Sequence, residues 1–561
     1  MLKINVNKAA VKFLWSISLK LKLIIVMLSV FQIILGMSSV YSALLLKDIV
    51  NTAVAHSSAD FRKSAVIYVI IIAVQIILRA VSRRADEYCR SSLENHFRAR
   101  LFRTLLDRDF ASVNDVHSGY WLSRLTKDTS TVADGLTAII PNASGMAVRI
   151  VGAVSMITVL EPKLLYLLIP FGIITTFFSF YVRKKNKALQ NEVQNREDDV
   201  KVYLQDVLGS MLVARSYASE DYAVKTAESK MNLHRDMRMK KNAFSNLCQT
   251  GLGTVMNGAT VIGAVYCGYG ILNGTVNYGT FTAVYQLINQ IKNPFRSISG
   301  VIPQITNVFV SCDRILKAEE IEIQSSADAY TSEEIADKYR NGFERIEFEN
   351  AFFSYKSGDA AAENPVVLEN VNLSIGKGEY VAFTGSSGCG KSTVMKLMLS
   401  LYRLDSGEKS VVYRGEKMPL DMKWQRLFAY VPQGNHLMSG SIRDIVSFGC
   451  PDKRDDDKRL EDALKTACAY DFVSQLENGA DTVLGEDGKG LSEGQLQRIA
   501  VARAVFSERP VLLLDESTSA LDGQTERQML ANLKSMTDRT VVIVTHRNAV
   551  LEICDRVVNF E

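Results

Sequence analysis

Hydrophobic and polar positions follow two different patterns along the 561-residue chain, and the change falls near residue 343. Before it, long apolar runs alternate with long charged stretches. After it, short alternating runs are separated by turn signals. Crossing a bilayer takes about 20 mostly apolar residues. Stretches at roughly 21–46, 64–82, 136–160, 163–183, 248–272 and 279–301 approach that length, which predicts six spans. The first, second and fourth are densely apolar. The others are rich in Gly, Ala, Ser and Thr, which suits helices packed on protein rather than on lipid. The intervening 83–135 and 184–247 keep a helical period while carrying many charges, so the helices are expected to extend well beyond the bilayer. The start, "KINVNKAAVKFLWSIS", reads either as an amphipathic helix on the inner surface, with Phe13, Leu14 and Trp15 inward, or as a disordered start.

Charge adds an orientation. Lysines precede the first span, and arginines and lysines follow the second and fourth, whereas the loop "NGTVNY" (273–278) carries none. The positive-inside rule therefore places both termini in the cytoplasm. Lys and Arg number 65 against 61 Asp and Glu, a balance that gives no support to a nucleic-acid partner. The 8 cysteines form no CxxC pair, so reduced thiols are expected rather than a disulfide framework or zinc site.

The second pattern carries chemistry. "EYVAFTG" reads as a strand, "GSSGCGKST" (385–393) fits G-x-x-x-x-G-K-[ST], and "KSTVMKLMLSLY" continues as a helix. Backbone N–H groups of Gly385, Ser386, Ser387, Gly388, Cys389, Gly390 and Thr393 and a helix N-terminus would cradle phosphates. Lys391 would bridge the terminal phosphates and Ser392 would coordinate magnesium, so ATP and Mg²⁺ are the expected cofactors. A buried strand, "PVLLLDE", ends in Asp515, a candidate magnesium ligand, and Glu516, a candidate for polarising the attacking water. A further strand, "TVVIVTH", brings His546 to the same edge of a parallel sheet.

"LSEGQLQRIAVARA" (491–504) resembles the signature motif of ABC transporters, and with it the chain resembles an exporter-type half-transporter over nearly its full length. The resemblance implies an α-helical membrane domain of six transmembrane helices with long cytoplasmic extensions (1–315), a linker (316–342) and an α/β P-loop NTPase domain (343–561). It implies that Tyr355 stacks on adenine, that Gln433 touches magnesium and senses the membrane half, that Glu516 is the catalytic glutamate, and that His546 is the switch histidine. Ser519–Asp522 ("SALD") resembles the D-loop. Ser492, Gly494 and Gln495 would contact ATP held by a partner chain, so one chain is half a machine. A homodimer is the favoured partner arrangement and a heterodimer the alternative. One departure is Glu493, where the family most often has glycine; activity is expected to survive it.

Charges inside spans are costly and line a pathway or find a partner. Arg149 lies near mid-depth of the third span, and Lys292 and Arg296 lie in the inner half of the sixth. They suit either an anionic or amphipathic cargo or local snorkelling. The expected function is ATP-driven export of a drug, lipid or small peptide from a bacterial inner membrane. An ATP-gated channel or regulator is the alternative.

Overall fold

The computed structural model describes residues 8–116, 118–324, 329–355, 366–434, 437–485, 490–536, 538–545 and 547–560. The chain divides into two compact units, and the division is not a single cut. Met1–Leu101 and Leu122–Lys317 form one unit; Phe102–Trp121 and Ala318–Glu561 form the other.

In the first unit the apolar runs become very long helices: α1 (Leu19–Val54), α2 (Ser58–Leu106), α3 (Thr129–Leu160), α4 (Pro162–Gly209), α5 (Glu220–Leu272) and α6 (Tyr278–Glu320). At about 1.5 Å per residue, the 53 residues of α5 reach far past a hydrocarbon core of about 30 Å. Among the described residues, four helices are long and apolar enough to cross a membrane: Leu19–Val54, Ser58–Leu106, Gly119–Leu160 and Glu220–Leu272. The fourth expected span falls on Pro162–Ile174, a shorter apolar stretch of α4.

Some of the small residues expected to pack on protein do so, Gly145 among them, whereas Gly253 and Gly268 of the fifth span meet nothing within 4 Å. A side chain at Gly145 would meet Gln32 Cβ at 3.1 Å, and one at Gly36 would meet the Gly145 carbonyl at 3.2 Å, so α1 and α3 cross with almost no gap. Large apolar side chains of α2 such as Val69, Ile76 and Ile77 are instead exposed, as lipid-facing residues should be. The N-terminal stretch forms a helix, Lys8–Leu14, with Phe13 and Leu14 buried. Trp15 departs from expectation: it lies past the helix end and is 48% exposed.

In the second unit, strands β1 (Phe343–Ser354), β2 (Val366–Gly376), β4 (Ser406–Tyr413) and β5 (Glu416–Pro419) form an antiparallel sheet in the order β2-β1-β4-β5. Strands β3 (Tyr380–Gly385), β6 (Phe428–Val431), β7 (Val511–Asp515), β8 (Thr540–Val544) and β9 (Arg556–Phe560) form a parallel sheet in the order β9-β3-β8-β7-β6. β7 and β8 are buried at every position, the pattern of strands covered on both faces. Pairing sets Phe383 opposite Val544 and Val544 opposite Asp515, so the ends of three strands finish level at one edge. The segment expected as a linker contains a helix, Ser332–Asn341, started by a capping box between Thr331 and Glu334.

Candidate nucleotide and cargo sites

β3 runs straight into the phosphate loop, and the loop turns into helix α7 (Lys391–Met398). Only glycine fits at Gly385: φ is +134°, and a Cβ would lie 2.1 Å from the Phe560 carbonyl oxygen. Gly390, the N-cap of α7, has φ +97° and offers no side-chain cap, so the first N–H groups of the helix are left for a ligand. Ser386, Ser387 and Gly388 are exposed, whereas Lys391 and Thr393 are buried. The Lys391 ammonium donates to the carbonyls of Gly385 (2.8 Å) and Ser386 (2.7 Å) and lies 3.5 Å from Cys389 Sγ. A cation is thereby held over the loop, where phosphate oxygens would arrive.

The edge of the parallel sheet brings the expected oxygens together. Ser392 Oγ donates to Asp515 Oδ1 at 2.9 Å, and Tyr430 Oη donates to Asp515 Oδ2 at 3.2 Å. Burial pushes the Asp515 carboxyl up, against the two hydrogen bonds that lower it, and burial pushes the Tyr430 hydroxyl up as well. A hydroxyl beside a buried carboxylate is a hard-oxygen donor set of the kind Mg²⁺ takes, with phosphate and water completing its shell. Gln433 Nε2 donates to Glu516 Oε2 at 2.9 Å. Glu516 has φ +48°, a left-handed conformation that costs a non-glycine residue about 1–3 kcal/mol, and its N–H is held by the Val544 carbonyl at 3.2 Å. The strain fixes where that carboxylate leaves the sheet.

Tyr355 lies at the same site. Its hydroxyl is 3.1 Å from Thr393 Oγ1, and its ring packs edge-on to Phe353 and Tyr402. Phe110 meets Tyr402 in turn, at 5.8 Å between centroids. Sequence reading missed Tyr430, Tyr402 and Phe110. Tyr430 sits three residues before Gln433, but only the sheet register shows that it reaches Asp515.

Ser492 and Gln495 cap helix α8 (Glu493–Phe506) reciprocally: Ser492 Oγ accepts from the Gln495 N–H at 3.3 Å, and Gln495 Oε1 accepts from the Ser492 N–H at 2.8 Å. Gly494 and Glu493 thus stand in the first turn of that helix. Asp522 caps helix α9 (Gly523–Lys534), accepting from the N–H groups of Gln524 and Thr525. His546 lies outside the described residues, as does the side chain of Arg296.

In the first unit, a cavity of about 290 Å³ is lined by Gln32, Asn142, Gly145, Met146, Arg149 and Val301. The Nε of Arg149 is buried with no hydrogen-bond partner. Lys292 behaves differently, donating to Asn257 Oδ1 (2.8 Å) and Thr260 Oγ1 (3.4 Å) on α5.

Two family models match the chain, "ABC transporter transmembrane region" at residues 24–295 and "ABC transporter" at 368–519. An ATP-dependent lipid A-core flippase of Pasteurella multocida (strain Pm70) is 27% identical over 559 residues, covering 98% of this chain and 93% of the relative. The protein of the same description from Escherichia coli (strain K12) is 26% identical over 495 residues, covering 87% and 82%. Among solved structures, a bacterial Atm1-family ABC exporter with ATP bound superposes with a TM-score of 0.79 at 18% identity, covering 96% of this chain and 93% of that one.

Proposed function

We propose, from the premise that this chain belongs to the ABC transporter family as an exporter-type half-transporter, that its cargo is a lipid with an anionic headgroup. The chain binds ATP and couples its hydrolysis to export across a membrane that it spans several times. The finer reading is that two copies of it form the working dimer, in a bacterial inner membrane, with both termini in the cytoplasm.

The observation that carries the cargo reading is the Arg149 cavity, with an unpartnered guanidinium nitrogen beside Gln32 and Asn142. A buried guanidinium nitrogen without an acceptor costs free energy that an anionic headgroup would recover. The names of the relatives support a lipid cargo, since both are ATP-dependent lipid A-core flippases. Drugs and peptides lack that support.

At the nucleotide site, the loop amides and Lys391 would hold the phosphates, and Tyr355 would face adenine. Ser392, Asp515 and Gln433 would hold Mg²⁺, which neutralises charge developing on the phosphates. Glu516 would orient and polarise the attacking water, and His546 would contact the γ-phosphate. Ser492, Gly494 and Gln495 would reach ATP on the partner, with Asp522 anchoring the segment beside them.

The test uses purified chain in zwitterionic vesicles doped with a labelled anionic lipid or with a zwitterionic analogue. ATP-dependent movement of the anionic lipid, reduced in Arg149→Ala, is expected. Equal movement of both labels would refute the headgroup reading.

A further inference from the structure

The segment between the sheet edge and α9, Ser519–Leu521, is gripped on two sides by side chains that sequence reading passed over. From α8, Gln497 Nε2 donates to Ser519 Oγ at 3.0 Å, and Gln497 Oε1 accepts from the Ala520 N–H at 3.0 Å. From the other side, Arg547 Nη2 donates to the Ser519 carbonyl at 2.6 Å and Nη1 to the Leu521 carbonyl at 2.8 Å. The same Nη1 reaches Glu526 Oε2 at 3.1 Å. Gln497 and Glu526 are each 3% exposed, so both grips are anchored on a buried side chain, with Arg547 itself partly exposed. Nothing else could stand at Gly494, where a Cβ would lie 2.8 Å from the Ala520 carbonyl.

We infer that Gln497 and Arg547 are positioning residues for the ATPase reaction, forming a clasp that ties the signature helix to the start of the catalytic strand end. Three features support it. Gln497 lies on the helix whose first turn carries Ser492 and Gly494. Arg547 follows His546 directly in the chain. The gripped segment is bonded back to the strand end, with the Ser519 N–H donating to the Glu516 carbonyl at 3.2 Å. A shift of the signature turn is therefore passed through Ala520 and Ser519 to the residue bearing the Glu516 carboxylate. It is passed as well through Arg547 to the segment bearing His546.

The chemistry of the grip explains the residue type. A guanidinium has several donors in a fixed fork and can hold two carbonyls and a carboxylate at once; an ammonium cannot keep that geometry. Arg547 supplies the counter-charge that makes the buried Glu526 carboxylate tolerable. Its other oxygen, Oε1, has no hydrogen-bond partner, so the carboxylate is committed to Arg547. This inference rests on Glu516 being the carboxylate that acts on the attacking water, and the test separates the two.

Full-length chain in lipid is assayed for kcat, KM for ATP, cooperativity in ATP, and equilibrium binding of a fluorescent ATP analogue. Arg547→Lys keeps the charge opposite Glu526 but loses the fork. Ser519→Ala, at an exposed position, removes only the Gln497 bond and guards against misfolding in the first variant. The expected result for Arg547→Lys is a fall in kcat of about 10- to 100-fold, the scale set by misplacing a reacting group, with analogue binding and KM within about twofold and cooperativity reduced. Ser519→Ala should move the same parameters in the same direction, by about threefold. Wild-type kcat and cooperativity in both variants, beside an inactive Glu516→Gln control, would overturn the clasp alone. A loss in analogue binding equal to the loss in kcat would overturn it too, since that marks damage to the ATP pocket. Turnover persisting in Glu516→Gln would remove the premise as well.

Discussion

Asp515 and Arg149 are both ionisable side chains in poorly hydrated surroundings, and the chain treats them in opposite ways. Asp515, 2% exposed, receives a hydrogen bond on each oxygen, from Ser392 and from Tyr430. Arg149 keeps a buried Nε with no partner and borders a cavity of about 290 Å³. At the nucleotide site Ser392, Tyr430 and Asp515 bond to one another, holding a geometry in place before a ligand arrives. At the membrane cavity the Arg149 Nε is left unsatisfied, which is costly unless a ligand satisfies it. The two sites therefore differ in their electrostatics: one has its hydrogen bonds made, the other keeps one open.

The comparison breaks most readily at Glu516. Glu516→Gln keeps the shape and the contact to Gln433 but removes the proposed base, and turnover should fall by about 10²–10⁴-fold, with ATP binding retained in an equilibrium assay. Next comes Arg149→Ala. Losing a charged contact worth roughly 1.5–3 kcal/mol should raise the anionic lipid concentration for half-maximal ATPase stimulation by about tenfold or more. Packing offers a third test in the membrane unit: Gly145→Leu forces α1 and α3 apart and should lower stability by about 1–3 kcal/mol, read as a lower melting temperature in lipid.

Lys409 sharpens the electrostatic side within the nucleotide unit. It is largely buried, donating to the carbonyls of Leu397 (2.7 Å) and Tyr402 (3.4 Å) and to Ser400 Oγ (3.1 Å) at the C-terminal end of α7. Burial pushes its ammonium down to about 8 from the ordinary 10.5. Between those values the unfolded chain binds the proton and the folded chain has lost it, so this residue makes stability rise with pH over that window and contributes no slope below it. Lys409→Met should remove the rise, seen as a flatter melting temperature from pH 8 to 10 than in wild type. The smallest effect is expected at Glu493. Its carboxylate stands in the first turn of the helix meant to face the partner's ATP, and Glu493→Gly should lower KM for ATP by about two- to fivefold, the scale of one charge at a helix terminus.

How much was legible in the sequence follows the same division. The positions of the phosphate loop, Asp515 and Glu516 could be read because they are local: a strand, a turn and a helix start place them, and each lies within a few residues of its own element. The first, second, third and fifth expected spans were legible because lipid demands long apolar helices, whereas the expected 279–301 span lies in α6 but, among the described residues, is not one of the helices apolar enough to cross. What escaped depends on register and on distant packing. Tyr430 reaches Asp515 only because β6 pairs β7 with Val431 opposite Leu514. Gln497 and Arg547 meet Ser519 across 22 and 28 residues, a distance no motif spacing spells out. Phe102–Trp121 lay inside a helical, charged stretch that pattern alone assigned to the membrane domain, yet its contacts group it with the nucleotide unit.

The most direct test of the account is ATP-dependent transbilayer movement of a labelled anionic lipid by the purified chain alone, in vesicles, beside Glu516→Gln. The account predicts movement that requires ATP, is abolished by the substitution, and exceeds that of a zwitterionic analogue. ATP turnover at full rate with no preference for the anionic lipid would contradict it.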